Sequence, residues 1–213
     1  MPRDLPLAII KFTVWAYWLS VIGLAVYKRL RVGHGAGVIP RQSRERWMWF
    51  IMVPGVLAWN LLPALAVNNS HRPGLGVPGW AIENDSLFLA RCAAAGFGVV
   101  CYLVTAYCWM LMGRNWSLAV VPEQRTELVT RGLYAWVRHP IYSLSVFLMI
   151  CTAVVLPTWP MLLVALTHVG LLNLKASSEE RYLAQLHGPS YARYCHNVGR
   201  FWPRLTRRIP TTG

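Results

Sequence analysis

The sequence predicts an all-α membrane protein, a polytopic helical bundle with about five transmembrane helices. Of its 213 residues, 55% are hydrophobic and only 14% are charged, whereas a soluble domain usually carries about 25% charged residues. Five apolar stretches approach the length needed to cross a bilayer, and basic or turn-forming segments separate them. The length favours a single integral membrane domain over residues 1–213 rather than two independent domains.

Each predicted span follows from length and from its flanking residues. A transmembrane helix needs about 20 largely apolar residues, and Pro54 and Pro63 are expected to kink the second span. The Gly-, Pro- and Asn-rich residues 68–85 predict an extramembrane loop, and a tight turn is expected at residues 156–160. The five spans are predicted at residues 7–27, 47–67, 87–112, 141–156 and 158–174.

The distribution of basic residues predicts the orientation of the bundle. The formal net charge is +13, and most Lys and Arg residues lie in the first and third connections and in the C-terminal tail. Because cytoplasmic loops are rich in Lys and Arg, this places the N-terminus outside and the C-terminus in the cytoplasm. The membrane is expected to be a bacterial or archaeal cytoplasmic membrane or the endoplasmic reticulum membrane.

The same charge pattern bears on the partners of the protein. Because the basic residues lie between apolar segments, they suit membrane lipids and do not form a nucleic-acid-binding stripe. The five cysteines contain no C-x-x-C pair, so no metal site is predicted.

Two polar clusters bracket the last predicted hairpin, in residues 131–142 and 175–194. Because the chain crosses the membrane and returns between them, both clusters are expected at the cytoplasmic face. His139 precedes a predicted helix whose first turn suits Pro140, and its side chain and the helix N-terminus suit an anionic group. Tyr142 is expected on the same face. The alternative is a basic interface anchor followed by a simple helix start.

Glu179 and Glu180 follow the last predicted span directly, where the end of a helix would favour cations instead. The helix is therefore expected to continue beyond the membrane. Adjacent helical residues point about 100° apart, so at most one glutamate is expected to face a given ligand. A solvated face paired with Lys175 and Arg181 is the alternative. His168 is either a neutral residue bonded to a neighbouring helix or a functional intramembrane group.

An ordered set of motifs occupies the second half of the chain. The motifs are Gly113-Arg114-Asn115-Trp116-Ser117; Glu127-Leu128-Val129 with Gly132 and Tyr134; Val137-Arg138-His139-Pro140 with Tyr142; Glu179-Glu180 with Leu183; Gly188, Tyr191 and Tyr194; and Arg200-Phe201 with Pro203. In this order they resemble the isoprenylcysteine carboxyl methyltransferase family and, more loosely, the phospholipid N-methyltransferases. The resemblance covers roughly residues 113–203. Gly199 departs from the proline that is common before the arginine in the family.

The resemblance implies methyl transfer from S-adenosyl-L-methionine at the cytoplasmic membrane face. It divides the chain into a three-helix membrane part, residues 1–112, and a cofactor-binding core, residues 113–213. The acceptor would be a lipophilic small molecule or a lipidated group: an isoprenylcysteine carboxylate, a lipid amine or a thiol. The cofactor site implied by the resemblance contains Glu127, Leu128, Val129, Tyr134, Arg138, His139, Pro140, Ile141, Tyr142 and Glu179.

Lys175 and Glu180 are the candidate catalytic residues. Lys175 stands where eukaryotic members of the family have an arginine beside the substrate, and lysine lacks the bidentate fork of arginine. Glu180 or His168 would accept a proton if the acceptor were an amine or a thiol. A carboxylate acceptor would need no base.

Two other functions stay open at this stage. Membrane sterol reductases have a similar C-terminal hairpin with an Arg-His-Pro-x-Tyr motif and bind NADPH there, although nothing in this sequence is dedicated to a 2′-phosphate. A non-enzymatic membrane protein that keeps the fold without the chemistry is the second alternative.

Overall fold

The computed structural model describes residues 3–32, 43–69, 72, 74–118 and 127–204, and these parts of the chain are mostly helical. Short 3-10 turns at Gly113–Asn115 and Gly132–Ala135 flank the connection between α4 and α5. The predicted all-α bundle is confirmed. The helices are α1 (Leu5–Val32), α2 (Ser43–Asn68), α3 (Gly79–Glu83), α4 (Asp85–Met112), α5 (Pro140–Val155), α6 (Trp159–His187) and α7 (Pro189–Asn197).

Within the described residues, four helices are long and apolar enough to cross a membrane: α1, α2, α4 and α6. Helix α5 is also apolar but has only 16 residues, which corresponds to about 24 Å. Large hydrophobic side chains such as Leu89 and Leu163 are exposed along these helices, as expected where lipid replaces water as the solvent. The protein is therefore an integral membrane protein, and its orientation stays a prediction.

The predicted turn between the last two spans is confirmed. Helix α5 ends at Val155, and Pro157 cannot continue it because proline lacks a backbone N–H. The hydroxyl of Thr158 then caps α6 by accepting a hydrogen bond from the Met161 N–H at 3.4 Å. The two helices therefore run out and back.

One helix continues past its apolar stretch, and one predicted loop contains a short helix. Helix α6 extends past residue 174 to His187, which confirms that the helix continues past the last predicted span. The segment 68–85, predicted as a loop, contains the short helix α3, which packs against α4 and buries Ala81. A helix of five residues is too short to produce a detectable apolar period.

Close packing at Gly98 joins three helices. A Cβ atom at this position would lie 2.7 Å from Cδ1 of Ile10 and 3.2 Å from Cδ1 of Leu148. Small residues allow such close approach of helix backbones in membranes, where van der Waals packing drives association. Helices α1, α4 and α5 therefore form one tightly packed layer.

Polar side chains tie α5 to its other neighbours. The indole N–H of Trp59 donates to Oγ1 of Thr152 at 3.0 Å, which links α2 to α5. The hydroxyl of Ser145 lies 3.0 Å from Nε2 of His168, which links α5 to α6. The interpretation of His168 as a residue bonded to a neighbouring helix is confirmed.

The segment after α7 packs against the start of α5. The backbone N–H of Arg138 donates to the Gly199 carbonyl at 2.8 Å, and the N–H of His139 donates to the Arg200 carbonyl at 3.1 Å. A Cβ atom at Gly199 would lie 1.7 Å from the carbonyl oxygen of Trp202. Proline is common at this position in the family that the motifs resemble. In this chain the backbone contact leaves no space for a Cβ atom, so only glycine fits there.

Gly199→Ala is expected to displace this segment and to destabilise the protein by roughly 2 kcal/mol, because overpacking against a fixed backbone cannot be relieved locally. The measurement is the apparent unfolding temperature in detergent. Gly170→Ala is the control, because a Cβ atom there would meet nothing within 4 Å. Equal unfolding temperatures for the Gly199 variant and the wild type would contradict the contact.

Candidate functional site

A cavity opens where the end of α4, the start of α5, the second half of α6 and α7 converge, and it continues between α1, α2 and α6. The centre of a water molecule can occupy about 210 Å³ of it. Every predicted cofactor residue and Lys175 line this cavity, whereas Glu180 does not. The two polar clusters therefore meet at one end of the bundle, as predicted.

One face of α6 runs the length of the cavity. Glu179, Lys175, Leu172 and His168 all line it, and they are spaced four, three and four residues apart, which places them on one helix face. Glu179 and His168 are eleven positions apart, which corresponds to about 16 Å along the axis. Glu179 marks the polar end, and His168 lies deep among the transmembrane helices.

His139 and Tyr142 form a stacked pair at the polar end. Their ring centres are 5.4 Å apart with an interplanar angle of 3°, which confirms that they share a face. The Tyr142 hydroxyl donates to Oε1 of Glu179, and Nδ1 of His139 lies 3.7 Å from Oε2 of the same carboxylate. Pro140 is the first residue of α5, as predicted.

Glu180 points away from the cavity into a cluster of cations. Its Oε1 accepts hydrogen bonds from Nε and Nη2 of Arg138 at 3.1 and 2.9 Å, and its Oε2 lies 3.3 Å from Nε of Arg200. Nε2 of His139 is 3.3 Å from Oε1 but lacks the alignment of a hydrogen bond. Of the two glutamates only Glu179 lines the cavity, in agreement with the expectation that at most one of them faces a given ligand.

Arg138 connects this cluster to the end of α7. Besides Glu180, its guanidinium donates to the carbonyls of Val198 at 2.6 Å and Cys195 at 3.3 Å. Arg138 lines the cavity, but these hydrogen bonds are directed to protein groups. The side chain therefore holds α5, α6 and α7 together.

Two buried phenols line the cavity without a hydrogen-bond partner. The side chains of Tyr134 and Tyr191 are 6% and 3% exposed, and neither hydroxyl has a partner in the described structure. Burial raises the pKa of both phenols well above the ordinary value, so both stay protonated. Because buried polar groups are nearly always paired, these two hydroxyls are suited to a bound ligand.

Lys175 carries a positive charge one helical turn deeper than Glu179. Its Nζ lies 5.5 Å from the centre of the Tyr142 ring and donates to the Leu118 carbonyl. The ammonium group therefore lies between the polar end of the cavity and its apolar interior.

The residues from α1 and α2 were not predicted. Tyr17, Trp18, Val21, Met52 and Val56 line the apolar interior. Aromatic and aliphatic residues at helical spacing look the same in a sequence whether they face a core, lipid or a cavity. In the parts of the chain that the structure describes, no three His, Cys, Asp or Glu side chains could together hold a metal ion.

The fold and the cavity define a polytopic membrane protein with an internal site that joins a charged, aromatic end to an apolar interior. Residues 94–185 match the model of the Isoprenylcysteine carboxyl methyltransferase (ICMT) family, which is the family that the motifs of the chain resemble. At the level of the family, this supports a membrane methyltransferase. A search of curated proteins found no significant match. The match ends before α7 and begins after α1 and α2.

Proposed function

We propose that the protein transfers a methyl group from S-adenosyl-L-methionine to a lipophilic acceptor held within the membrane. The observation that carries this proposal is a single cavity with a polar, aromatic end and an apolar interior between transmembrane helices. We also propose that residues 113–213 form the cofactor-binding core and that residues 1–112 complete the wall on the acceptor side. The cofactor end would face the cytoplasm.

The polar end has groups that match the chemistry of the cofactor. The carboxylate of Glu179 suits an ammonium group or ribose hydroxyls, and the unpaired hydroxyls of Tyr134 and Tyr191 suit polar atoms of the ligand. The stacked rings of His139 and Tyr142 offer an aromatic face to which a sulfonium cation is attracted. Residues 127–129 would close the same end of the site.

When bound, the cofactor supplies an electrophilic methyl group, whose bond to sulfur breaks as the bond to the acceptor forms, leaving S-adenosylhomocysteine. The protein has to align the acceptor atom at about 3–3.5 Å and to exclude water. Lys175 is placed to attract an anionic acceptor to the boundary between the two parts of the cavity. A carboxylate acceptor would then react without a base.

The apolar interior suits the hydrocarbon part of the acceptor. Trp18, Val21, Met52 and Val56 contribute this wall from α1 and α2, and Leu172 contributes from α6. Because these helices are surrounded by lipid, an acceptor dissolved in the bilayer could enter sideways while the cofactor enters from the aqueous side. One cavity would then hold the polar cofactor at one end and the apolar part of the acceptor at the other.

The role expected for Glu180 is revised in this proposal. Its oxygens contact Arg138 and Arg200 and do not line the cavity. A proton acceptor must come within hydrogen-bond reach of the acceptor group, and Glu180 has no such access. We infer that Glu180 positions Arg138 and Arg200 rather than accepting a proton.

Calorimetric binding of S-adenosylhomocysteine and, separately, of NADPH to the detergent-purified protein tests the proposal. We expect micromolar binding of S-adenosylhomocysteine and no binding of NADPH. Binding of NADPH alone would favour a reductase. Binding of neither ligand, to protein shown to be folded by its thermal unfolding, would favour a non-enzymatic membrane protein.

A further inference from the structure

A second cavity lies at the opposite end of the bundle, between α3, the start of α4, the end of α5 and the start of α6. The centre of a water molecule can occupy about 480 Å³ of it. Because α5 runs antiparallel to α4 and α6, this end is distant from the site of the proposed methyl transfer. The lining is apolar apart from Arg91, and small residues such as Ala90 and Ala153 leave room between the helices.

Arg91 is buried at this cavity without a full set of partners. Its side chain is 1% exposed, its Nε donates to the Val155 carbonyl at 3.0 Å, and its Nη1 lies 3.5 Å from the Ala81 carbonyl. Its Nη2 is buried and has no hydrogen-bond partner in the described structure. The guanidinium of arginine stays protonated in proteins, so a full positive charge remains at this position.

The structural role of Arg91 does not account for Nη2. A cation at the C-terminus of α5 is favourable, and this explains the hydrogen bond to Val155. Among the described residues, however, no carboxylate forms an ion pair with Arg91, and Asp4 acts on it only through space. Charged groups inside membranes are normally paired, so the remaining donor favours an anionic ligand.

The depth of Arg91 and its surroundings indicate what kind of anion binds. Arg91 lies six residues after Asp85, the first residue of α4, or about 9 Å along the axis. Trp80 and Trp159 are largely exposed at this end, as expected of aromatic residues at a membrane interface. The apolar cavity adjoins the buried charge, and this combination matches a headgroup with an attached hydrocarbon chain.

We propose that this cavity binds an anionic phospholipid, with its phosphate at Nη2 of Arg91 and one acyl chain between α4, α5 and α6. The bound lipid would neutralise the buried charge and fill the space left by Ala90 and Ala153. The site is independent of the proposed methyl transfer, because none of its lining residues borders the other cavity.

Native mass spectrometry of the detergent-purified protein, titrated with lipids of identical acyl chains, tests this proposal. We expect phosphatidylglycerol to bind at least about tenfold more tightly than phosphatidylcholine, because both lipids carry the phosphate but the choline cation of phosphatidylcholine would lie close to the Arg91 guanidinium and leave its charge uncompensated. Inorganic phosphate, which lacks an acyl chain, is expected not to displace phosphatidylglycerol. Equal retention of the two lipids, or displacement by inorganic phosphate, would overturn the proposal.

A cavity-filling variant tests the position of the site without removing Arg91. Ala90→Phe is expected to weaken binding of phosphatidylglycerol at least about tenfold, because the ring would occupy the space of the acyl chain. Ala93→Phe is the matched control, since Ala93 is an exposed residue of the same helix outside the cavity. Unchanged binding in Ala90→Phe, or equal losses in both variants, would place the lipid elsewhere. An unfolding temperature in detergent close to that of the wild type confirms that each variant is folded.

Discussion

Glu179→Gln is expected to weaken binding of S-adenosylhomocysteine by about tenfold to a hundredfold while leaving the unfolding temperature close to that of the wild type. Glutamine keeps the shape of the side chain but lacks the charge that we assign to an ammonium or ribose partner. Hydrogen bonds to charged groups contribute about 1.5–3 kcal/mol, which corresponds to that loss of affinity. Isothermal titration calorimetry measures the affinity, and thermal unfolding in detergent measures the stability.

Glu180→Gln is the matched control, with the same chemical change one residue further along α6. It removes the counter-charge of Arg138 and of Arg200, two cations that are mostly buried around it. Breaking such a pair from one side leaves an uncompensated charge, so a destabilisation of about 2–3 kcal/mol is expected. This variant is expected to unfold at a lower temperature and to lose affinity only as the site loosens.

The two glutamate variants together test whether Glu179 contacts the ligand and whether Glu180 only positions neighbouring side chains. If Glu179→Gln bound S-adenosylhomocysteine as tightly as the wild type, Glu179 would not belong to the cofactor site. If Glu180→Gln lost affinity without any loss of stability, Glu180 would contact the ligand directly. Both outcomes are distinguishable from a general failure to fold, because stability and affinity are measured on the same samples.

The transmembrane spans could be predicted because each one depends only on the residues of its own segment. A stretch of about 20 apolar residues has to satisfy its backbone hydrogen bonds within the bilayer, and an α-helix does so within one segment. Pro157 and Thr158 mark the turn between α5 and α6 by their own chemistry. Helix α3 could not be predicted, because its five residues depend on packing against α4.

The candidate site could be predicted in part because its polar residues are unusual at a membrane boundary. His139, Tyr142 and Glu179 stand out from apolar surroundings, and the hairpin brings them together. The choice between Glu179 and Glu180 could not be made from sequence. It depends on the rotation of α6 relative to α5 and on Arg200, which arrives from the C-terminal segment.

The contribution of the N-terminal helices to the cavity could not be predicted from the sequence. Trp18 and Met52 line the cavity, but nothing in their neighbouring residues separates a cavity wall from a lipid-facing surface. Arg91 presents the same difficulty in another form, because a single basic residue near a span end usually anchors a helix at the interface. Only the packing of α3, α4 and α5 around it shows that the charge is buried.

Lys175→Met is expected to lower kcat/KM for an anionic acceptor about a hundredfold, with little change in the affinity for S-adenosylhomocysteine. The ammonium group lies between the two parts of the cavity, and its attraction to a carboxylate would be lost together with a charge-assisted hydrogen bond. The measurement is transfer of labelled methyl from S-adenosyl-L-methionine to an S-prenylated N-acetylcysteine. Lys175→Arg is the control and is expected to retain much of the activity, because it keeps the charge.

The acceptor's charge decides how this prediction is interpreted. An ammonium group one turn from Glu179 favours a carboxylate and opposes a protonated lipid amine, so Lys175→Met should lower methylation of the first and should not lower that of the second. Equal losses with both acceptors, together with weaker binding of S-adenosylhomocysteine, would place Lys175 at the cofactor instead. A loss restricted to the prenylated carboxylate would support Lys175 as the residue that selects the acceptor, because the same cavity and cofactor serve both reactions.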